Sequence, residues 1–83
     1  MKFKAKIEVM LKPVHSDPEG ETTARALREL NYPIESVSVS KVYMVILQAS
    51  SKAEAEKMAD EMCRRFLANP TKDDYRFEIR ETK

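Results

Sequence analysis

SVSVSKVYMVILQA, residues 36–49, decides the fold, because its two halves alternate differently. Val37, Val39, Tyr43, Val45, Leu47 and Ala49 share one phase, and Ser36, Ser38 and Ser40 share the other, so the extended segment 35–49 has one side for a core. From Val42 onward the second phase changes character. Val42, Met44 and Ile46 make the opposite side apolar as well, so the second half of the strand is apolar on both faces. Lys41 stands in the core phase where the pattern changes, which predicts a bend or bulge between two strand halves.

On the N-terminal side, residues 3–11 alternate strictly, with Phe3, Ala5, Ile7, Val9 and Leu11 opposite Lys4, Lys6, Glu8 and Met10. That is a strand with one buried face. Pro13 ends its pairing, and Asp17-Pro18 starts a helix: Asp17 caps free amides, Pro18 suits the first helical position, and Glu19 and Glu21 favour the positive end of the dipole. The spacing predicts a helix over 18–30 with Thr23, Ala24, Leu27 and Leu30 inward; Asn31 is a left-handed cap and Pro33 stops continuation.

On the C-terminal side, Ser51-Lys52-Ala53-Glu54 fits a capping box. The helix after it carries Ala55, Met58, Ala59, Met62, Cys63, Phe66 and Leu67 as its apolar stripe, and Asn69-Pro70 ends it. The last strand, 74–80, sets Tyr75, Phe77 and Ile79 against Arg76, Glu78 and Arg80. Strand, helix, long strand, helix, strand predicts one α+β domain over residues 1–83. Its form is a small open-faced sandwich, a mainly antiparallel sheet of three long strands, one of them bent, with two helices on one face. It is related to the split βαβ, ferredoxin-like folds. The bare sheet face then exposes Met10, Val42, Met44 and Ile46, and such a patch predicts self-association.

Composition excludes several functions. A chain of 83 residues buries only about 60–65 % of its unfolded surface, leaving room for one core. Fifteen basic and fourteen acidic residues give a formal charge of +1 with the signs interspersed, which disfavours a phosphate-backbone site. The apolar run 42–47 is far shorter than the roughly 20 residues that span a bilayer, and the N-terminus does not read as a secretory signal, so a cytoplasmic location is expected. The single cysteine and single histidine leave no disulfide and no zinc site within one chain.

Individual residues point to structure before chemistry. His15 lies in the loop between the first strand and helix, but the sequence offers no nucleophile or orienting partner for it. Cys63 falls on the inward stripe of the second helix and reads as a small core thiol. Met58 and Met62 sit at core spacing, which leaves Met10 and Met44 as interface residues. Gly20 stands alone and cannot form a phosphate-cradling loop, and Asp17, Glu19 and Glu21 already occupy the adjacent helix start. Base stacking on the sheet is disfavoured because Phe3, Tyr43, Tyr75 and Phe77 fall in the core phase. No catalytic, cofactor or metal residues are expected in this chain.

Two stretches carry a resemblance. Leu11-Lys12-Pro13 followed by Asp17-Pro18-Glu19-Gly20, and Leu67-Ala68-Asn69-Pro70 followed by Asp74-Tyr75, resemble the motifs near the two ends of PurS subunits of phosphoribosylformylglycinamidine synthase. Ala26, Leu27, Leu30, Tyr32, Val37, Val39, Lys41 and Cys63 fall at that family's spacing, so the resemblance covers nearly the whole chain. Val14-His15-Ser16, Glu19, Asn31, Ser40 and Phe66 depart from the pattern.

The resemblance implies a non-catalytic subunit, a homodimer or homotetramer, that bridges a glutaminase (PurQ) and a synthetase (PurL) in purine biosynthesis. It places ATP, magnesium and glutamine sites in those partners. Two other readings share the architecture. One is a metabolite-sensing regulatory module of the amino-acid-binding type. The other is a small acylphosphatase-like enzyme, for which the loop 12–17 lacks the required Arg.

Overall fold

A computed structural model describes residues 1–82, and Lys83 lies outside the described residues. The elements are β1 (Lys2–Leu11), α1 (Pro18–Glu29), β2 (Ser40–Gln48), α2 (Lys52–Met62), which continues into a π turn (Cys63–Leu67), and β3 (Asp73–Thr82). The three strands form one sheet in the order β2-β1-β3, with both pairings antiparallel. β1 takes the central position because its alternation leaves no gap: Phe3, Ala5, Ile7 and Val9 are all buried. They join Ile79, Ala49, Ala55, Ala59, Cys63 and Ala68 in one core, with Tyr43, Val45, Leu47, Met58, Leu67, Tyr75 and Phe77 around it.

The helix signals act as read, with one shift. Asp17 Oδ1 accepts from the Gly20 amide at 2.9 Å, and Ser51 Oγ accepts from the Glu54 amide at 3.1 Å. The Glu54 carboxylate reaches back to Ser50, accepting from its amide at 3.1 Å and its hydroxyl at 2.8 Å, where a capping box would return to Ser51. Asn31 adopts φ 71°, the left-handed cap expected of it.

Three expectations require correction. The long segment 35–49 pairs only from Ser40 to Gln48, and no bulge occurs at Lys41: its register with Val9 continues without a break into Met10–Ser40. The physical reason is that β1 ends at Leu11, so 35–38 has no strand beside it, and the Val39 amide is taken by Asp17. On α1, Thr23 and Leu30 are exposed, and only Gly20 and Ala24 are buried. Phe66, placed on the core stripe by the 3.6-residue period, is 86 % exposed. There the Ala68 amide bonds to the Cys63 carbonyl at 2.9 Å, five residues back, and the wider turn swings Phe66 away from the core.

The two helices relate to the sheet unequally. α2 packs on β1 and β3, and the Tyr75 hydroxyl donates to Asp60 Oδ1 at 2.6 Å. α1 instead lies against the extended residues 34–39. Asp17 Oδ2 accepts from the Val39 amide at 2.8 Å, and Arg28 donates to the carbonyls of Ile34 and Glu35 at 2.9 and 2.7 Å. The molecule is correspondingly long, 50 × 29 × 14 Å, with a radius of gyration of 16.3 Å where a compact chain of this length gives about 12 Å.

Four carboxylates are held below their ordinary pKa by such bonds. Asp60 is lowered first by the Tyr75 hydroxyl and then by Arg64, and Asp17 by the amides of Gly20 and Val39. Glu8 is lowered by Ser40 and Arg76, and Glu54 by Ser50. A depressed folded pKa contributes stability above the unfolded value and loses it as pH falls through the folded one. The melting temperature should therefore hold from pH 7 to about 5 and drop below about 4, the ordinary carboxylate range. Tyr75→Phe should remove part of that acid sensitivity; melting temperatures flat from pH 5 to 3 would contradict it.

Candidate functional site

The sheet face opposite α2 is built by simple alternation. β2 contributes Val42, Met44 and Ile46, which are 51 %, 52 % and 56 % exposed, and their cross-strand neighbours on β1 are Glu8, Lys6 and Lys4. Met10, the fourth expected member, is half-buried and lies opposite Ser40, diagonal to Val42. The structure thus brings the four together, but as a strip along one side of the face. The rest is charged: β3 adds Arg76, Glu78 and Arg80 in register with Glu8, Lys6 and Lys4.

Glu8 anchors the boundary between the apolar and charged halves. Its Oε2 accepts from the Ser40 hydroxyl at 2.8 Å and its Oε1 from Arg76 Nε at 2.6 Å. The sequence did not reveal that β2 is an edge strand, because strand order depends on pairing between distant segments. The consequence is an apolar strip beside a free backbone edge, a combination that favours association.

The second candidate region is the end of the sheet where the two motif stretches, far apart in sequence, meet. Leu11 pairs with Asp73 and Met10 with Asp74, the Lys12 amide donates to the Lys72 carbonyl at 2.8 Å, and Lys12 Nζ lies 3.5 Å from Asp74. Most of these residues have an internal task. Pro13 falls in the turn after β1, Asp17 holds α1 to Val39, and Pro18 opens α1. Gly20 lets the helix approach so closely that an added Cβ would sit 2.2 Å from the Val37 carbonyl oxygen.

The later motif behaves likewise. Leu67 is half-buried, Ala68 is buried, and Asn69 folds the turn before β3. Its Oδ1 accepts from the Thr71 and Lys72 amides at 2.9 and 3.3 Å, while the Asn69 amide donates to Asp73 Oδ2 at 2.8 Å; Pro70 follows in that turn. Tyr75 ties β3 to α2 through Asp60. Lys41 is exposed opposite Val9.

A shallow cleft at this end gathers Met10, Leu11, Asp17, Glu19, Lys41 and Lys72. Its Asp17 is already committed to two backbone amides, so the cleft presents no base aimed at a nucleophile. His15 is exposed in the adjoining loop, and its amide bonds to the Lys12 carbonyl at 3.0 Å. Cys63 is fully buried, and burial followed by the negative charge of Asp60 pushes its thiol pKa up, against reactivity. Among the described residues, no group of three or more His, Cys, Asp or Glu side chains gathers to hold a metal, and no helix is long and apolar enough to cross a membrane.

The family model of PurS, phosphoribosylformylglycinamidine (FGAM) synthase, matches residues 4–81. The chain belongs to the PurS family. Similarity to family members runs from end to end. A phosphoribosylformylglycinamidine synthase subunit PurS from Archaeoglobus fulgidus is 41 % identical over 78 residues, covering 93 % of this chain and 98 % of that one. The structure of Thermus thermophilus PurS aligns with a TM-score of 0.90 at 32 % identity, covering all of both chains.

A chain in the structure of PurLQS from Thermotoga maritima aligns with a TM-score of 0.85 at 31 % identity, covering 99 % of both chains. PurS membership favours the synthase-subunit reading over the regulatory module.

Proposed function

We propose that this chain is the non-catalytic bridging subunit of a multi-subunit FGAM synthase. In that reading it assembles a glutaminase (PurQ) and a synthetase (PurL) that together convert formylglycinamide ribonucleotide to its amidine. The observation that supports the reading is the full-length likeness to a PurS chain in a PurLQS structure. Free ammonia is mostly protonated at neutral pH and easily lost, so holding two active sites in register raises the yield of transfer. ATP, magnesium and glutamine belong to the partner subunits in this reading, the catalytic residues lie there too, and the complex is cytoplasmic.

The chain is itself a homodimer or homotetramer in the same proposal, joined through Met10, Val42, Met44 and Ile46. The apolar strip supports this because water-exposed Val, Met and Ile side chains in a row gain by mutual burial, at roughly 25 cal/mol per Å². One reconstitution tests both parts. Glutamine-dependent amidine formation by purified synthetase and glutaminase subunits should depend strongly on adding this chain. The Met44→Lys, Ile46→Lys double variant should fold normally, run at lower mass in gel filtration and support less activity. Equal activity without the chain, and no co-elution with the two partners, would reject the bridging role.

A further inference from the structure

The charged half of the bare sheet face carries an excess of one sign. Lys2, Lys4 and Lys6 on β1 and Arg76, Glu78 and Arg80 on β3 share this face and are exposed. Glu8 is taken by Arg76 at 2.6 Å, and Asp74, farther along β3, by Lys12 at 3.5 Å. Among the described residues no ion pair includes Lys2, Lys4, Lys6 or Arg80, so four cations remain against the single carboxylate of Glu78. The whole chain has a formal charge of only +1, so folding, not composition, concentrates them.

Their arrangement is specific. Lys4 lies directly opposite Arg80, a like-charge pair that costs stability, and on its other side it pairs with Ile46. Lys6 lies between Glu78 and Met44, and Lys4, Lys6, Met44, Glu78 and Arg80 line one shallow depression across all three strands. Lys2, Lys4 and Lys6 repeat at about 7 Å, twice the rise of an antiparallel strand, which is also the spacing of alternate side chains on any extended segment laid along them. A second copy of this chain does not supply the missing charge. Apolar strip against apolar strip leaves the cations outside the contact, and charged half against charged half sets net positive against net positive.

We infer that the charged half of the bare face docks an extended acidic segment of a partner subunit, with carboxylates at alternate positions set against Lys4 and Lys6 and one of them shared with Arg80. A carboxylate between Lys4 and Arg80 offsets the repulsion of that pair, and the exposed Met44 and Ile46 beside it give the contact apolar area. Glu78 decides the class of partner. Standing among the cations, it accepts from a donor on a protein segment and repels a nucleic-acid backbone, which presents only phosphates. The inference rests on the bridging reading, which supplies the partner, and adds the surface used and the chemistry it selects.

The test binds the full chain, its Lys4→Glu variant and the triple variant Lys4→Gln, Lys6→Gln, Arg80→Gln to immobilised synthetase and glutaminase subunits. Lys4→Glu places a carboxylate opposite Arg80, so its melting temperature should equal or exceed that of the parent, and its loss of binding is not loss of fold. Both variants should raise the Kd for one subunit at least about tenfold, and the parent's own Kd should rise between about 50 and 300 mM salt. Lys57→Gln, on α2, should leave binding unchanged. Equal binding by parent and variants would keep the bridging role and overturn this inference alone, whereas no binding by the parent would reject both. A fall in the variants' mass in sedimentation equilibrium would assign these cations to the contact between copies and overturn it. So would a triple variant that keeps both subunits but loses binding to a short duplex DNA.

Discussion

Phe3→Ala is expected to lower the free energy of unfolding by about 3–5 kcal/mol. Phe3 is 1 % exposed, lies on the central strand between Leu47 and Glu81, and is the bulkiest fully buried side chain. Removing the ring leaves a cavity whose walls are β1, β2, β3 and α2. Four other members of this core are alanines, Ala5, Ala49, Ala55 and Ala59, whose methyl groups cannot reach across to fill it. Domains of this size have total stabilities of roughly 5–10 kcal/mol, so the variant should be close to unfolded at 37 °C.

Chemical denaturation at fixed protein concentration measures the effect, because association adds to apparent stability. Phe66→Ala provides the contrast. As an 86 % exposed residue it should shift the unassociated chain by no more than about 0.5 kcal/mol. A loss under 1 kcal/mol for Phe3→Ala would mean that the core is not organised around this ring.

Gly20→Ala is expected to destabilise, reversing the usual sign of that substitution in a helix. Alanine gains up to about 1 kcal/mol over glycine from helix propensity. Here the new Cβ would stand 2.2 Å from the Val37 carbonyl oxygen and 2.8 Å from an Asp17 carboxylate oxygen. The carbonyl is backbone and cannot rotate aside, so α1 must lift from 37–39, stretching the Asp17–Val39 bond of 2.8 Å. The net loss should be about 1–3 kcal/mol, the usual range for overpacking.

Native-state hydrogen exchange locates the damage. The Val39 amide, which donates to Asp17, should exchange faster while the β1 amides keep their protection. A Gly20→Ala variant as stable as the parent would show that α1 does not approach 37–39 this closely.

Local signals alone determined the number, type and order of the elements. Strict alternation over 3–11 and 75–79, the caps Asp17 and Ser51, and the stops Asn31 and Asn69-Pro70 act within a few residues and need no distant partner. The bare face was legible for the same reason: Val42, Met44 and Ile46 share a phase that β2 must turn away from its core side. The motif residues could be recognised in the sequence, but their tasks could not. Asp17 meets Val39 across 22 positions, and the Asn69 turn reaches Lys12 through Lys72.

What only the tertiary structure decided depends on which surfaces found partners. β1 ends at Leu11, so 35–38 stays unpaired, and the register of Lys41 with Val9 runs into Met10–Ser40 without the expected bulge. β2 lies at the edge because β1, with Phe3, Ala5, Ile7 and Val9 buried, takes both other strands as neighbours. A 3.6-residue period cannot foresee the π turn that exposes Phe66, since the extra residue is set by where the chain must turn toward β3. Nor does amphipathic spacing say what α1 covers. Of its expected stripe Ala24 is buried and Leu27 half-buried while Thr23 and Leu30 are exposed, and the bonds from Asp17 and Arg28 hold α1 against 34–39.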